Sequence, residues 1–127
     1  MSINISGEGM AIFENFVVKA TFVSLNNSYL LMVTDQEQFG IGTVTLSSPP
    51  TEFGTKATSS PFNIFGMKNS MLSNAIGRNA SKHLKKPVLS LVLLVEKDFK
   101  QEIIIKTTME AVNKAIEDVI SKGNNKI

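Results

Sequence analysis

Asn26 and Asn27 interrupt an otherwise continuous run of strand-forming residues, and that pair constrains the chain's geometry more than any other feature. On either side lie FENFVVKATFVSL (13–25) and SYLLMVT (28–34), rich in the aromatic and β-branched types that suit a pleated, half-buried strand. Asparagine tolerates positive φ better than other non-glycine residues, so the pair predicts a two-residue hairpin turn. The register is then forced. Phe22 stands opposite Leu31 and Ala20 opposite Val33, with Phe16 and Val18 on the same face. The opposite face carries Val17, Thr21, Val23, Leu30 and Met32 around a single Lys19. It is too apolar for water and too polar for a dry core.

The rest of the chain is read around this hairpin. Residues 1–11 are polar and glycine-containing and predict a loose lead-in, as do 124–127 at the other end. A third strand over 39–46 (FGIGTVTL) contains Gly40 and Gly42, which mark a bulge or a close backbone approach. Eleven of the fifteen residues in 47–61 are Ser, Thr, Pro or Gly, which predicts a long mobile loop, and a short apolar run at 62–67 offers another strand. Leu72, Ile76, Ala80 and Leu84 recur every four residues and predict a helix over 69–86, stopped by Pro87. Residues 88–95 (VLSLVLLV) form the most hydrophobic strand, and 99–106 (FKQEIIIK) reads as its hairpin return. A last helix follows, with Thr107 and Glu110 as a capping box and Gly123 as the stop. With 127 residues, this is one domain over 1–127, of the α+β class: an antiparallel sheet of about six strands with two helices packed on one face.

That architecture leaves a deficit of cover. Strand 88–95 places Leu89, Leu91, Leu93 and Val95 on one side and Val88, Ser90, Val92 and Leu94 on the other, apolar on both. Six strands at ~4.8 Å span about 29 Å, whereas two helices each ~10 Å across roof about 20 Å of one face. A second apolar face then needs either a partner or a sheet closed on itself as a barrel or sandwich. The partner is the favoured reading.

Chemistry that would make an enzyme is missing from the sequence. There is no cysteine, hence no disulfide, thiol nucleophile or cysteine-containing metal site. His83, the single histidine, lies in a basic helix end, and no activated serine or paired set of acids accompanies it. No catalytic, metal-ligating or cofactor-binding residue is therefore assigned, and no cofactor is expected. The N-x-S triplets at Asn4, Asn26 and Asn79 matter only in a secreted chain, and no signal peptide or membrane-length apolar run is visible. The expected location is the cytoplasm, with the nucleus as a second possibility. Net charge is only +2, but residues 66–86 hold Lys68, Arg78, Lys82, Lys85 and Lys86 with no acid. That local charge suits either a solvated helix face or an acidic protein surface; no aromatic residue interleaves with it, so nucleic acid is not an expected partner, and with no membrane-length apolar run neither is a membrane.

The order of residues also resembles a known family. Tyr29–Ser47 (YLLMVTDQEQFGIGTVTLS), then Ile64-Phe65-Gly66, then Ser70–Ser90 (SMLSNAIGRNASKHLKKPVLS) is similar to the small proteasome assembly chaperones, especially the proteasome assembly chaperone 4 type. The matching positions are Leu31, Val33, Gly66, Ser70, Leu72, Ala75, Arg78, Lys82, Lys86, Val88 and Ser90. The resemblance implies a six-stranded antiparallel sheet with two helices, stacked on a related small chaperone as a heterodimer. It further implies that the pair holds one alpha-type subunit during 20S alpha-ring assembly and leaves before or as beta subunits add. On this reading Val17, Val23, Leu30, Met32, Val88, Val92 and Leu94 lie against the partner chain. Arg78, Lys82 and Lys86, or the 47–61 loop, are candidates for the alpha-subunit contact. A roadblock-, longin- or profilin-like scaffold for a trafficking, GTPase-regulating or actin complex is the alternative that the residues leave open.

Overall fold

The hairpin forms with the register that the Asn pair dictates. In the computed structural model, which describes residues 3–50, 58–63 and 70–124, β2 (Phe16–Leu25) and β3 (Ser28–Thr34) pair antiparallel with Phe22 opposite Leu31 and Ala20 opposite Val33. Asn27 takes φ of 58°, in the left-handed region that asparagine tolerates.

Six strands make one sheet in the order β1-β2-β3-β6-β4-β5, completed by β1 (Ile5–Phe13), β4 (Thr43–Ser48), β5 (Thr58–Asn63) and β6 (Val88–Leu93). The α+β class holds, but the sheet is mixed. Strand β6 inserts between β3 and β4, parallel to β3 and antiparallel to β4. The chain reaches that slot through β4, β5 and helix α1 (Ser70–Leu84), the long crossover that a parallel pair requires. The most apolar strand thereby occupies an interior position in the sheet.

Two expectations fail because packing overrides local preference. Residues 5–11 are not a loose lead-in; they form most of an edge strand. Gly7 and Gly9 are there because helix α2 (Gln101–Asn124) lies directly on β1: a Cβ on Gly9 would collide with the Ala111 carbonyl oxygen and sit 2.5 Å from the Ala115 nitrogen. The predicted return strand at 99–106 is instead the start of α2. Its β-branched Ile103-Ile104-Ile105 favours a strand locally, but Ile104, Thr108, Ala111, Val112, Ala115, Ile116 and Val119 continue one buried helical stripe. Thr107 is consequently a buried residue inside the helix and not its cap. Elsewhere, the third strand starts at Thr43, four residues later than predicted, and 58–61 of the predicted loop belong to β5. The remainder of that loop over 51–57, and 64–67 of the short apolar run, lie outside the described residues, as do 125–127.

Both helices pack on one face. Helix α1 covers β4, β5 and β6, and α2 covers β1 and β2. Leu72, Ile76 and Ala80 are buried as the four-residue spacing predicts, and Lys85 at φ 58° ends α1 just ahead of Pro87. Under α1 the sheet is lined by small polar groups. Thr45, Ser47 and Ser90 are fully buried, Thr45 Oγ1 bonds Ser73 Oγ at 2.6 Å, and a Cβ on Gly77 would collide with Ser47 Oγ. Small residues on both sides let α1 sit close to the strands.

Candidate functional site

The period of two that buries one face exposes the other. Because the core takes Val18, Ala20 and Phe22 of β2, Leu31 and Val33 of β3, and Val88, Ser90 and Val92 of β6, the alternate residues point away from both helices. Pairing lines them up in rows across the sheet. One row runs Val23, Leu30, Leu89, Leu46, and the next runs Thr21, Met32, Leu91, Val44. Met10 and Ile12 of β1 and Val17 of β2 extend the same surface toward the sheet edge. No helix covers it. Leu46, Met10 and Ile12 are 55%, 50% and 58% exposed, and Leu30, Met32, Leu89 and Leu91 are half-buried.

One corner of this face is strapped. Residues 35–42, joining β3 to β4, fold over the row that contains Lys19, Thr34 and Leu93. The Asp35 carboxylate anchors the base of the strap by accepting the backbone N–H groups of Val95 (3.0 Å) and Glu96 (2.7 Å). Lys19 Nζ donates to the Glu37 carbonyl at 2.7 Å and lies 5.4 Å from the centre of the Phe39 ring. The strap returns to the sheet at Gly42, where φ is 57° and a Cβ would collide with the Val92 carbonyl oxygen. The Lys19 charge is thus satisfied by the chain itself, Thr34 beneath is fully buried, and the other charge on this side, Glu8, lies out on the edge strand. What stays uncovered is the apolar part.

The predicted interface residues divide. Val17, Leu30 and Met32 are half-buried on the open face, whereas Val23 shares their side of the sheet but is buried, at 6% exposure. Val88, Val92 and Leu94 are not on that face; at 0%, 0% and 5% exposure they are core beneath the helices, and the outward set of β6 is Leu89, Leu91 and Leu93. Strand 88–95 is apolar in both phases, so alternation could not choose between them. The signal was Ser90, a small residue of the kind needed beneath a close-packed helix. Met10, Ile12, Val44 and Leu46 went unassigned, although 7–12 already alternates small Gly7, Gly9 and Ala11 with larger Glu8, Met10 and Ile12.

Arg78 and Lys82 stand one turn apart on the exposed side of α1, and Lys86 follows the helix end, its Nζ 5.5 Å from the centre of the Tyr29 ring. None of the three makes an ion pair among the described residues. This basic ridge is on the helix side of the sheet, opposite the open face, so the two surfaces can be occupied together. Among the described residues no three His, Asp or Glu side chains converge on a metal position, and no helix is long and apolar enough to cross a membrane.

No family model and no curated protein sequence matches the chain. Among solved structures, it is similar to a chain from the crystal structure of a chaperone complex for yeast 20S proteasome assembly. The TM-score is 0.55 at 8% identity, with 96% of this chain and 98% of that chain covered. That likeness is one of fold, and it spans essentially both chains.

Proposed function

We propose that this chain is a non-catalytic proteasome assembly chaperone, working in the cytoplasm. It pairs with a related small chaperone through the open sheet face and holds a proteasome alpha-type subunit during 20S alpha-ring assembly, leaving before or as beta subunits add. The observation that carries this reading is the two uncovered apolar rows through Leu30, Leu89, Met32 and Leu91, a surface that a chain working alone would not keep. The end-to-end likeness in fold to a chain of a 20S assembly chaperone complex supports it. Arg78, Lys82 and Lys86, on the opposite side, supply the contact for an acidic patch of the alpha subunit.

The test is capture of the tagged chain from native extract with mass spectrometry of what is retained. A small partner chain and a single alpha-type subunit, without beta subunits, are expected. Changing Arg78, Lys82 and Lys86 together to Glu should release the alpha subunit and leave the small partner bound, with wild-type capture weakening as salt rises. Recovery of a GTPase, of actin, or of the chain alone would overturn the proposal.

A further inference from the structure

Strand β1 ends the sheet, and an edge strand offers its outward N–H and C=O groups to any further strand. This edge is long and carries Ile5, Met10 and Ile12 at half exposure or more. Two of its backbone groups are nevertheless occupied by side chains of α2. The Glu8 N–H donates to the Asp118 carboxylate at 2.9 Å, and Lys114 Nζ donates to the Met10 carbonyl at 3.1 Å. Glu8 and Met10 are two residues apart, so their backbone groups point to the same side of the strand, away from β2. Lys114 and Asp118 are one helical turn apart, and Lys122, a turn further on, holds the Asp118 carboxylate at 3.2 Å. The tight seat of α2 on Gly7 and Gly9 brings these side chains within reach of the edge.

We propose that Lys114 and Asp118 are an edge guard. They occupy the β1 groups that a second copy of this chain would use to add its own β1, so extension of the sheet at this edge is closed. A second copy is the relevant intruder for two reasons. Strand addition reads backbone groups, which any copy presents, and Met10 and Ile12 of an added β1 would continue the apolar rows without a gap. Pairing β1 against β1 would use both edges at once and give an edge-to-edge dimer with one continuous sheet, a different assembly from one joined through the open face.

The experiment uses the purified chain by itself, so its outcome is separate from the pairing proposed above. Lys114→Ala and Asp118→Ala are made together, alanine being a good helix former that leaves α2 intact. Mass is followed by light scattering as concentration rises, and exchange protection is read at the Met10 amide. In the wild type the outward Met10 N–H exchanges fast at every concentration. In the double variant its exchange should slow about tenfold or more as concentration and mass rise together. Adding Met10→Pro, which removes that N–H and is tolerated on an edge, should restore wild-type behaviour. If the double variant loses helix content, Asp118→Ala and Lys114→Ala singly carry the same readout. Fast Met10 exchange in all guard variants, or association that Met10→Pro leaves unchanged, would overturn the proposal.

Discussion

Leu91 and Val92 are neighbours in β6, yet an aspartate at each should have opposite consequences. Val92 is fully buried beneath the helices. A carboxyl group with no partner in such a place has its pKa raised by ~3–5 units, equivalent to ~4–7 kcal/mol. Lost valine packing adds roughly 1.5–3 kcal/mol. Domains of this kind have ~5–15 kcal/mol in total, so Val92→Asp should remove half the stability or more. At Leu91 the new carboxylate points into water from the open face, and only the burial of a half-exposed leucine is lost, about 1–2 kcal/mol. In urea titrations followed by far-UV circular dichroism, Leu91→Asp should keep its helix content with a slightly lowered midpoint. Val92→Asp should have its midpoint lowered by half or more, down to a chain unfolded without denaturant if the total lies at the low end of that range. In partner capture, Leu91→Asp should fail despite its intact fold, because pairing would desolvate the carboxylate. Met32→Asp, in the same row, should behave as Leu91→Asp does. Equal destabilisation at positions 91 and 92, or a folded Val92→Asp that pairs normally, would show that the faces have been assigned the wrong way round.

Gly9→Ala should force α2 away from β1 by about 1 Å and cost ~1–3 kcal/mol, because the atoms met are helix backbone and cannot rotate aside; a urea midpoint equal to wild type would contradict that close approach. The Glu8 N–H, and after it the Lys122 ammonium, hold the Asp118 carboxyl below the usual carboxylate range. Its contribution to stability is therefore complete above the unfolded-state pKa and is lost as pH falls through the lower folded one. An NMR titration should show the Glu8 amide shift moving with that lowered midpoint, and movement centred at or above the ordinary aspartate value would refute the bond.

Where one local signal settled the geometry, the sequence could be read directly. Asn26-Asn27 fixes a register that nothing downstream can slip, so the β2–β3 pairing and three residues of the open face, Val17, Leu30 and Met32, followed from it, while Val23 on the same side is buried. The spacing of Leu72, Ile76 and Ala80 did the same for α1. Failures occurred where a residue's meaning lies in something distant along the chain. Gly7 and Gly9 look like a frayed end until α2 is placed on them. Ile103-Ile104-Ile105 looks like strand until Thr108 and Ala111 are seen to continue its stripe. Insertion of β6 beside β3 depends on a crossover longer than any pairing rule based on adjacent segments can anticipate. The phase of β6, which decides whether Val92 or Leu91 faces outward, depends in turn on that insertion and on the seat of α1.

The two faces of the sheet are linked through this packing. Helix α1 approaches closely because Ser47, Ser90 and Gly77 are small, and small residues on the helix side leave the bulk of β6, Leu89, Leu91 and Leu93, on the other. Each of those half-buried leucines stabilises the isolated chain by only about 1–2 kcal/mol. The two open rows cross β2, β3, β6 and β4, and Met10, Ile12 and Val17 carry the surface on to β1, roughly 24 Å by 14 Å at ordinary strand spacing. Such a patch is about 340 Å² in projection, so a standard interface of ~800 Å² per partner would take in the relief of its side chains and the strap and edge around it. A smaller patch would suit a passing peptide. A flat two-row face matches a second sheet laid against it, and the guarded β1 edge keeps a second copy from joining beside that face instead of on it.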